Sequence, residues 1–252
     1  MLTVRQVYDI IHEMAPFDTQ EDFDNAGLLV GSFDQEVKGI HVAMDVTPAV
    51  LEEAIELGAN LIVTHHPMMF RGRKRLTDED REGRLLCRMI RHGISLIAAH
   101  TNLDRAPGGI NDVLAQVIGL EDVSGEDFLR VGDLPQAMTA ADFAAHLERA
   151  LHTTVRLMGC ADDLIRRVGL CSGEGDEYWV DAAAAGAESF VTGEATHHVV
   201  LDAVDAGVTV FECGHHATEE PGIFALADAL QKRLNEVQYS VCVSKTTTRA
   251  YG

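Results

Sequence analysis

The stretch Gly58-Ala-Asn-Leu-Ile-Val-Thr-His65-His66-Pro67 runs from a glycine that ends a helical segment, through a short apolar strand, to two histidines and a proline. The same plan returns in Gly93-Ile-Ser-Leu-Ile-Ala-Ala-His100-Thr-Asn-Leu-Asp104. It returns again in Gly186-Ala-Glu-Ser-Phe-Val-Thr-Gly-Glu194-Ala-Thr-His197-His198 and in Gly207-Val-Thr-Val-Phe-Glu-Cys-Gly-His215-His216-Ala-Thr-Glu219. Helix, glycine and apolar strand in alternation predict an α/β fold, its sheets covered by helices. Ligands of open α/β sheets bind at the carboxyl ends of strands, so histidines and carboxylates gathered there predict a metal or catalytic centre.

Outward from these stretches, Val4, Val7, Ile10, Ile11 and Met14 have helical spacing behind Thr3, a suitable N-cap. Strands are predicted over 24–31 and 39–45, and a helix over 48–57 with Thr47 as cap and Pro48 at its first position. The later part repeats the plan with a strand over 167–172, a helix over 176–185 and a strand over 188–192. Laying Gly58 on Gly186 places Thr64 on Thr192, and His65-His66 on Gly193-Glu194, the pattern of an internal duplication. The chain therefore reads as one domain of two pseudo-repeated α/β halves, about 1–119 and 166–252, joined by a connector over 120–165 that holds a helix over 140–151. A helix over 222–234 and a strand over 237–244 complete it.

With 252 residues and a hydrophobic fraction of 46%, the chain is long and apolar enough to bury a full core. Its formal net charge of -20 repels nucleic-acid phosphates and anionic membranes, which excludes a general DNA-coating role. Arg71-Gly-Arg-Lys-Arg75 is a local exception with two readings. Arg71, Arg73, Lys74 and Arg75 hold substrate phosphates, or they form a solvated loop that balances nearby acids. Five cysteines without a Cys-x-x-Cys pair suit reduced thiols. Neither a signal peptide nor an apolar run of membrane-spanning length is recognisable, so a soluble cytoplasmic protein is expected.

His215 and Glu219 stand four apart at an expected helix start and so share one helical face, as two ligands of one ion would. His100 and Asp104 have the same separation, but Thr101-Asn-Leu and Pro107-Gly-Gly109 suggest a loop there. His65 and His66 reach one centre only if Pro67 turns the chain, because neighbours on a strand face opposite sides. Imidazoles and carboxylates without thiolates suit Zn, Mn, Fe, Co or Ni. Three histidines, an aspartate and a carboxylate able to bridge predict two divalent ions about 3.5–4 Å apart and hydrolytic chemistry. Glu194 is placed as a general base. His197 and His198 are either acid/base or substrate contacts, or ordinary polar residues at a helix start. Ser172-Gly-Glu-Gly175 reads as a tight strand-to-helix connection, and no dinucleotide, P-loop or nucleophile-elbow motif is present.

In this order the motifs Asp24-Asn25-Ala-Gly-Leu-Leu-Val-Gly31, Thr64-His-His-Pro67, His100-Thr-Asn-Leu-Asp104, Gly132-Asp-Leu-Pro135, Thr192-Gly-Glu194 and Gly214-His-His-Ala-Thr-Glu219 closely resemble those of the Nif3-like family, labelled GTP cyclohydrolase 1 type 2 homologues. The resemblance runs essentially end to end. It implies a Nif3-like fold, a toroidal homohexamer with metal sites facing its cavity, and a dinuclear centre with His65 and His215 on one ion, His66 and Asp104 on the other, and Glu219 bridging. Some longer relatives carry an extra domain between the halves, where this chain has only its connector. The implied activity is hydrolysis of GTP or a related nucleotide by metal-activated water, opening the purine ring at C8. The competing reading is a non-catalytic metal-binding ring with a regulatory or protein-interaction role.

Overall fold

The computed structural model describes residues 1–246. In chain order its elements are α1 (Val4–Met14), β1 (Gly27–Val30), β2 (Ile40–Ala43), α2 (Pro48–Glu56), β3 (Leu61–Thr64), α3 (Arg81–His92), β4 (Ser95–Ala98) and α4 (Thr101–Arg105). There follow α5 (Ile110–Val117), β5 (Glu121–Ser124), β6 (Arg130–Thr139), α6 (Ala140–Leu151), β7 (Arg156–Met158) and β8 (Leu164–Glu174). The last are α7 (Tyr178–Ala184), β9 (Ser189–Glu194), α8 (His197–Asp205), β10 (Thr209–Glu212), α9 (His215–Glu236) and β11 (Val243–Lys245). They divide into two compact units, 1–106 with the described residues from 223 onward, and 107–222.

The first unit holds a five-stranded sheet in the order β1-β4-β3-β2-β11. Strands β2, β3 and β4 are parallel, β11 joins β2 in parallel, and β1 closes the other edge antiparallel to β4. Every residue of β2, β3 and β4 is buried, as expected for parallel strands covered on both faces. Leu51 and Ala54 of α2 and Leu85, Leu86 and Met89 of α3 pack with Ile62 and Leu96 in one core. Helix α2 starts as its sequence demands: the Thr47 side chain accepts from Val50 N at 3.1 Å, and Pro48 opens the helix. The four helix-ending glycines Gly58, Gly93, Gly186 and Gly207 all have positive φ, the conformation that the absence of Cβ permits.

The second unit holds a six-stranded sheet in the order β5-β6-β8-β9-β10-β7. Strands β8, β9 and β10 are parallel, while β6 and β7 run antiparallel to β8 and β10. Side-chain alternation divides the core between the two faces. Val168, Leu170, Val191 and Phe211 pack with Phe143 and Leu147 of α6; Cys171, Phe190 and Val210 pack with Ala182 of α7 and Ala203 of α8.

Three expectations are corrected. The stretch 120–165 is no mere connector, since β5, β6 and β7 are strands of this sheet. Pro135 cannot donate to a ladder, and β6 accommodates it in an irregular stretch between Asp133 and Met138, where the register against β8 shifts. The helix expected over 222–234 begins at His215 and carries Pro221 inside it. The stretch after His100 is the short helix α4 rather than a loop: Asp104 N donates to His100 O at 3.1 Å, and Asn102 Oδ1 accepts from His100 N at 2.9 Å.

Candidate metal centre

In the first unit the parallel register decides where the histidines stand. Thr64 pairs with Ala98, so His65, one residue beyond β3, meets the carbonyl of Ala99, one residue beyond β4. His65 is fully buried, and its Nδ1 lies 2.8 Å from that carbonyl, which can only accept. On a neutral ring the Nε2 lone pair is then left facing Asp104 Oδ1 at 3.5 Å. Two acceptors are brought together, an arrangement that a cation between them resolves.

His66 follows the same rule with a carboxylate behind it: its Nδ1 is 2.9 Å from Asp45 Oδ1. The Thr64 hydroxyl donates to His66 O at 2.9 Å and holds the turn that brings the His65 and His66 ring centroids to 5.0 Å. His100, which the sequence left out of the ligand set, joins them. Its ring centroid lies 5.1 Å from that of His65 and 5.7 Å from that of His66, and its Nδ1 is 2.8 Å from Asp24 Oδ1. One ring nitrogen from each of these three histidines lies within 4.8 Å of the other two.

Asp24 has a fully buried side chain. Burial alone would raise its pKa, but hydrogen bonds from His100 and from Thr101 outweigh that and bring it down to about 2. Its Oδ2 accepts from both the backbone and the hydroxyl of Thr101. Asp24 thus fixes the first turn of α4 together with the ring of His100.

The second unit carries its own pair at the head of α9. His215 Nε2 lies 3.2 Å from Glu219 Oε1, one helical turn on, and His215 Nδ1 lies 3.3 Å from Glu194 Oε2 at the end of β9. Gly173 and Gly193 make room for this pair. A Cβ on Gly173 would sit 2.6 Å from Glu219 Oε1 and 3.3 Å from His215 Nε2, and one on Gly193 would sit 2.8 Å from the His215 Cα. Gly173 also has φ of +61°, so the backbone both turns there and comes close to the donor atoms, which a reading of Ser172-Gly-Glu-Gly175 as a plain turn missed.

The donor sets fit a borderline divalent ion: nitrogen and carboxylate oxygen, with an acceptor facing an acceptor in one unit and a glycine cradle in the other. In each of these four histidines Nδ1 is held by a carbonyl or carboxylate, the outer-shell pattern that orients metal-binding imidazoles. His197 and His198 are exposed in the first turn of α8, with His198 Nδ1 3.3 Å from the Thr196 hydroxyl. Arg73 is committed elsewhere, to Asp80 at 2.6 Å and to Glu82. Its charge is matched locally, as in the second reading of the basic loop. Lys74 and Arg75 border a groove of about 480 Å³ with Leu29, Met69 and Leu76.

A family profile described as Duf34/NIF3 (NGG1p interacting factor 3) matches residues 2–250. A Clostridium perfringens protein named GTP cyclohydrolase 1 type 2 homolog is 32% identical over 251 residues, covering 95% of this chain and 96% of that protein. A solved Staphylococcus aureus protein superposes with a TM-score of 0.94 at 29% identity, over 99% of this chain and 98% of that one. A Bacillus cereus protein described as related to NIF3 has the same fold, with a TM-score of 0.95 at 22% identity, over 99% and 98% of the two chains.

Two predictions follow from these contacts. Gly173→Ala should lower the metal bound per chain at least several-fold while leaving the far-ultraviolet circular dichroism unchanged; full metal content in that variant would remove the cradle argument. In metal-free protein, Asp24 in the folded state has its pKa lowered from 3.8 to about 2. Its contribution, about 2 kcal/mol, is therefore complete above the unfolded value and is lost as pH falls through the folded one. Urea midpoints of wild type and Asp24→Asn should differ at pH 7 and converge as pH falls from 4 towards 2; a gap independent of pH would refute this.

Proposed function

Because the chain belongs to the Duf34/NIF3 family, we propose that it is a dinuclear metal-dependent hydrolase acting on GTP or a related nucleotide. The reading is carried by the histidines whose Nδ1 atoms are occupied from behind, which leaves Nε2 to face an ion. His65, His66, Asp104, His215 and Glu219 are the proposed ligands of two divalent ions, drawn from Zn, Mn, Fe, Co and Ni. The family resemblance assigns His65 and His215 to one ion and His66 and Asp104 to the other, with Glu219 shared.

Bound there, two such ions would supply Lewis acidity and a water that ionises near neutral pH. The chain's own residues do the rest. Asp104 and Glu219 offset the positive charge, and Asp45, Glu194 and the Ala99 carbonyl hold the rings in the orientation that ligation needs. Glu194 touches His215 through Oε2, so its Oε1 is the atom proposed to take and return a proton. His197 and His198 are proposed as substrate contacts, and Arg71, Lys74 and Arg75 as the cations for phosphate. Arg73 is set aside for its pairing with Asp80 and Glu82.

The family resemblance supports a homohexamer, and reduced cysteines support a cytoplasmic setting. Among the described residues no helix is long and apolar enough to cross a membrane.

The test is turnover. Protein purified without chelator and reloaded with the metal found in it should convert GTP or another nucleotide of a panel followed by chromatography. His215→Ala and Glu219→Ala should reduce that rate at least a hundred-fold. Fully loaded protein that converts no nucleotide would defeat the hydrolase reading and favour the metal-binding assembly.

A further inference from the structure

We propose that Phe23 and Phe70 form an aromatic wall beside His100 that receives the planar heteroaromatic ring of the substrate. Among the described residues these are the phenylalanine, tyrosine and tryptophan side chains left exposed, Phe23 at 64% and Phe70 at 47%. Their positions are not scattered. The two ring centroids lie 6.2 Å apart, and the Phe70 ring meets the His100 ring edge to face at 6.2 Å and 87°. Two apolar rings kept in water at the rim of a histidine cluster carry a hydration cost that a flat ligand would relieve.

The backbone beside the two rings is tied by hydrogen bonds. The residue after Phe23 is Asp24, which fixes His100 and Thr101, and the residue after that is Asn25, whose amide donates to Met69 O at 2.7 Å. That bond ties the segment before Phe70 to the segment after Phe23. Rings placed before the ligand arrives, here with planes tilted by 53°, lower the ordering cost of binding.

The sequence following Phe70 argues for the class of occupant. Phe70-Arg-Gly-Arg-Lys-Arg75 sets an aromatic face directly before a run of cations, and Lys74 and Arg75 line the groove that Met69 also borders. An uncharged aliphatic ligand would have no use for the cations, and a bare phosphate none for the rings. A molecule with a flat ring and an anionic tail uses both, and a π face accepts purines and other heteroaromatics alike. The proposal rests on the nucleotide reading above and adds to it the side chains that grip the base.

The experiment is calorimetric titration of the metal-loaded protein with three probes: GTP, flavin mononucleotide and inorganic triphosphate. It is run on wild type, Phe23→Ala, Phe70→Ala and Phe70→Tyr, with the oligomeric mass of each checked by light scattering. Phe70→Ala and Phe23→Ala should weaken the ring-bearing probes about ten-fold or more, the effect expected for removing a stacking partner. Inorganic triphosphate, metal content and mass should not change, and Phe70→Tyr should restore binding. The wall is overturned if the alanine variants bind GTP and flavin mononucleotide as wild type does, or lose triphosphate to the same degree. It is overturned as well if wild type binds neither ring-bearing probe at millimolar concentration, or if the variants change mass while ring binding persists, which would make the face a contact between copies. Ring-dependent binding without turnover would count against hydrolysis and leave the wall standing.

Discussion

Each histidine of the two clusters is gripped at Nδ1, and the chemistry available to this protein depends on that grip. A free imidazole has two tautomers and a rotating ring, so a histidine at a strand end is by itself a poor ligand. Ala99 O behind His65, Asp45 behind His66, Asp24 behind His100 and Glu194 behind His215 remove that freedom. Three of these four partners are carboxylates. The grip depends in turn on backbone register: a shift of β3 by one residue against β4 would take His65 away from the Ala99 carbonyl and turn its side chain to the opposite face of the sheet.

The two units apply one scaffold to different tasks. In each, three parallel strands end in a layer of polar residues, and an antiparallel strand guards the edge beside the third of them. Thr64 and Thr192 stand at matching positions, the Thr64 hydroxyl 2.9 Å from His66 O and the Thr192 hydroxyl 3.4 Å from Glu194 O and 3.3 Å from Gly173 O. Ala99 N and Cys213 N donate to the carbonyls of those threonines, both at 2.8 Å. Where the first unit then places His65 and His66, the second places Gly193 and Glu194. One position yields space and the other a hydrogen-bond partner for His215.

The sequence made the strand-end placement legible because glycine, apolar run and polar terminus are all local signals. The α/β class and the capped helix at Pro48 follow from such signals. Residues whose role depends on a distant partner were not legible. Asp24 acts on His100 across 76 positions, and Asp45 acts on His66 across 21. His100 was set aside because Thr101-Asn-Leu before Pro107 reads as loop, whereas Asn102 caps the backbone of His100 and supports the short helix there. Strand β6 was hidden by Pro135, which a strand tolerates only where its ladder is interrupted.

The most direct test is an anomalous-difference Fourier map from crystals of protein never exposed to chelator, collected on both sides of the absorption edge of the metal found in it. The account predicts two peaks per chain, each within about 2.0–2.2 Å of an Nε2 atom of His65, His66 or His215, with oxygens of Asp104 and Glu219 completing the ligand set. Peaks bound through Nδ1 atoms, or metal held elsewhere with these rings still hydrogen-bonded as described, would contradict it.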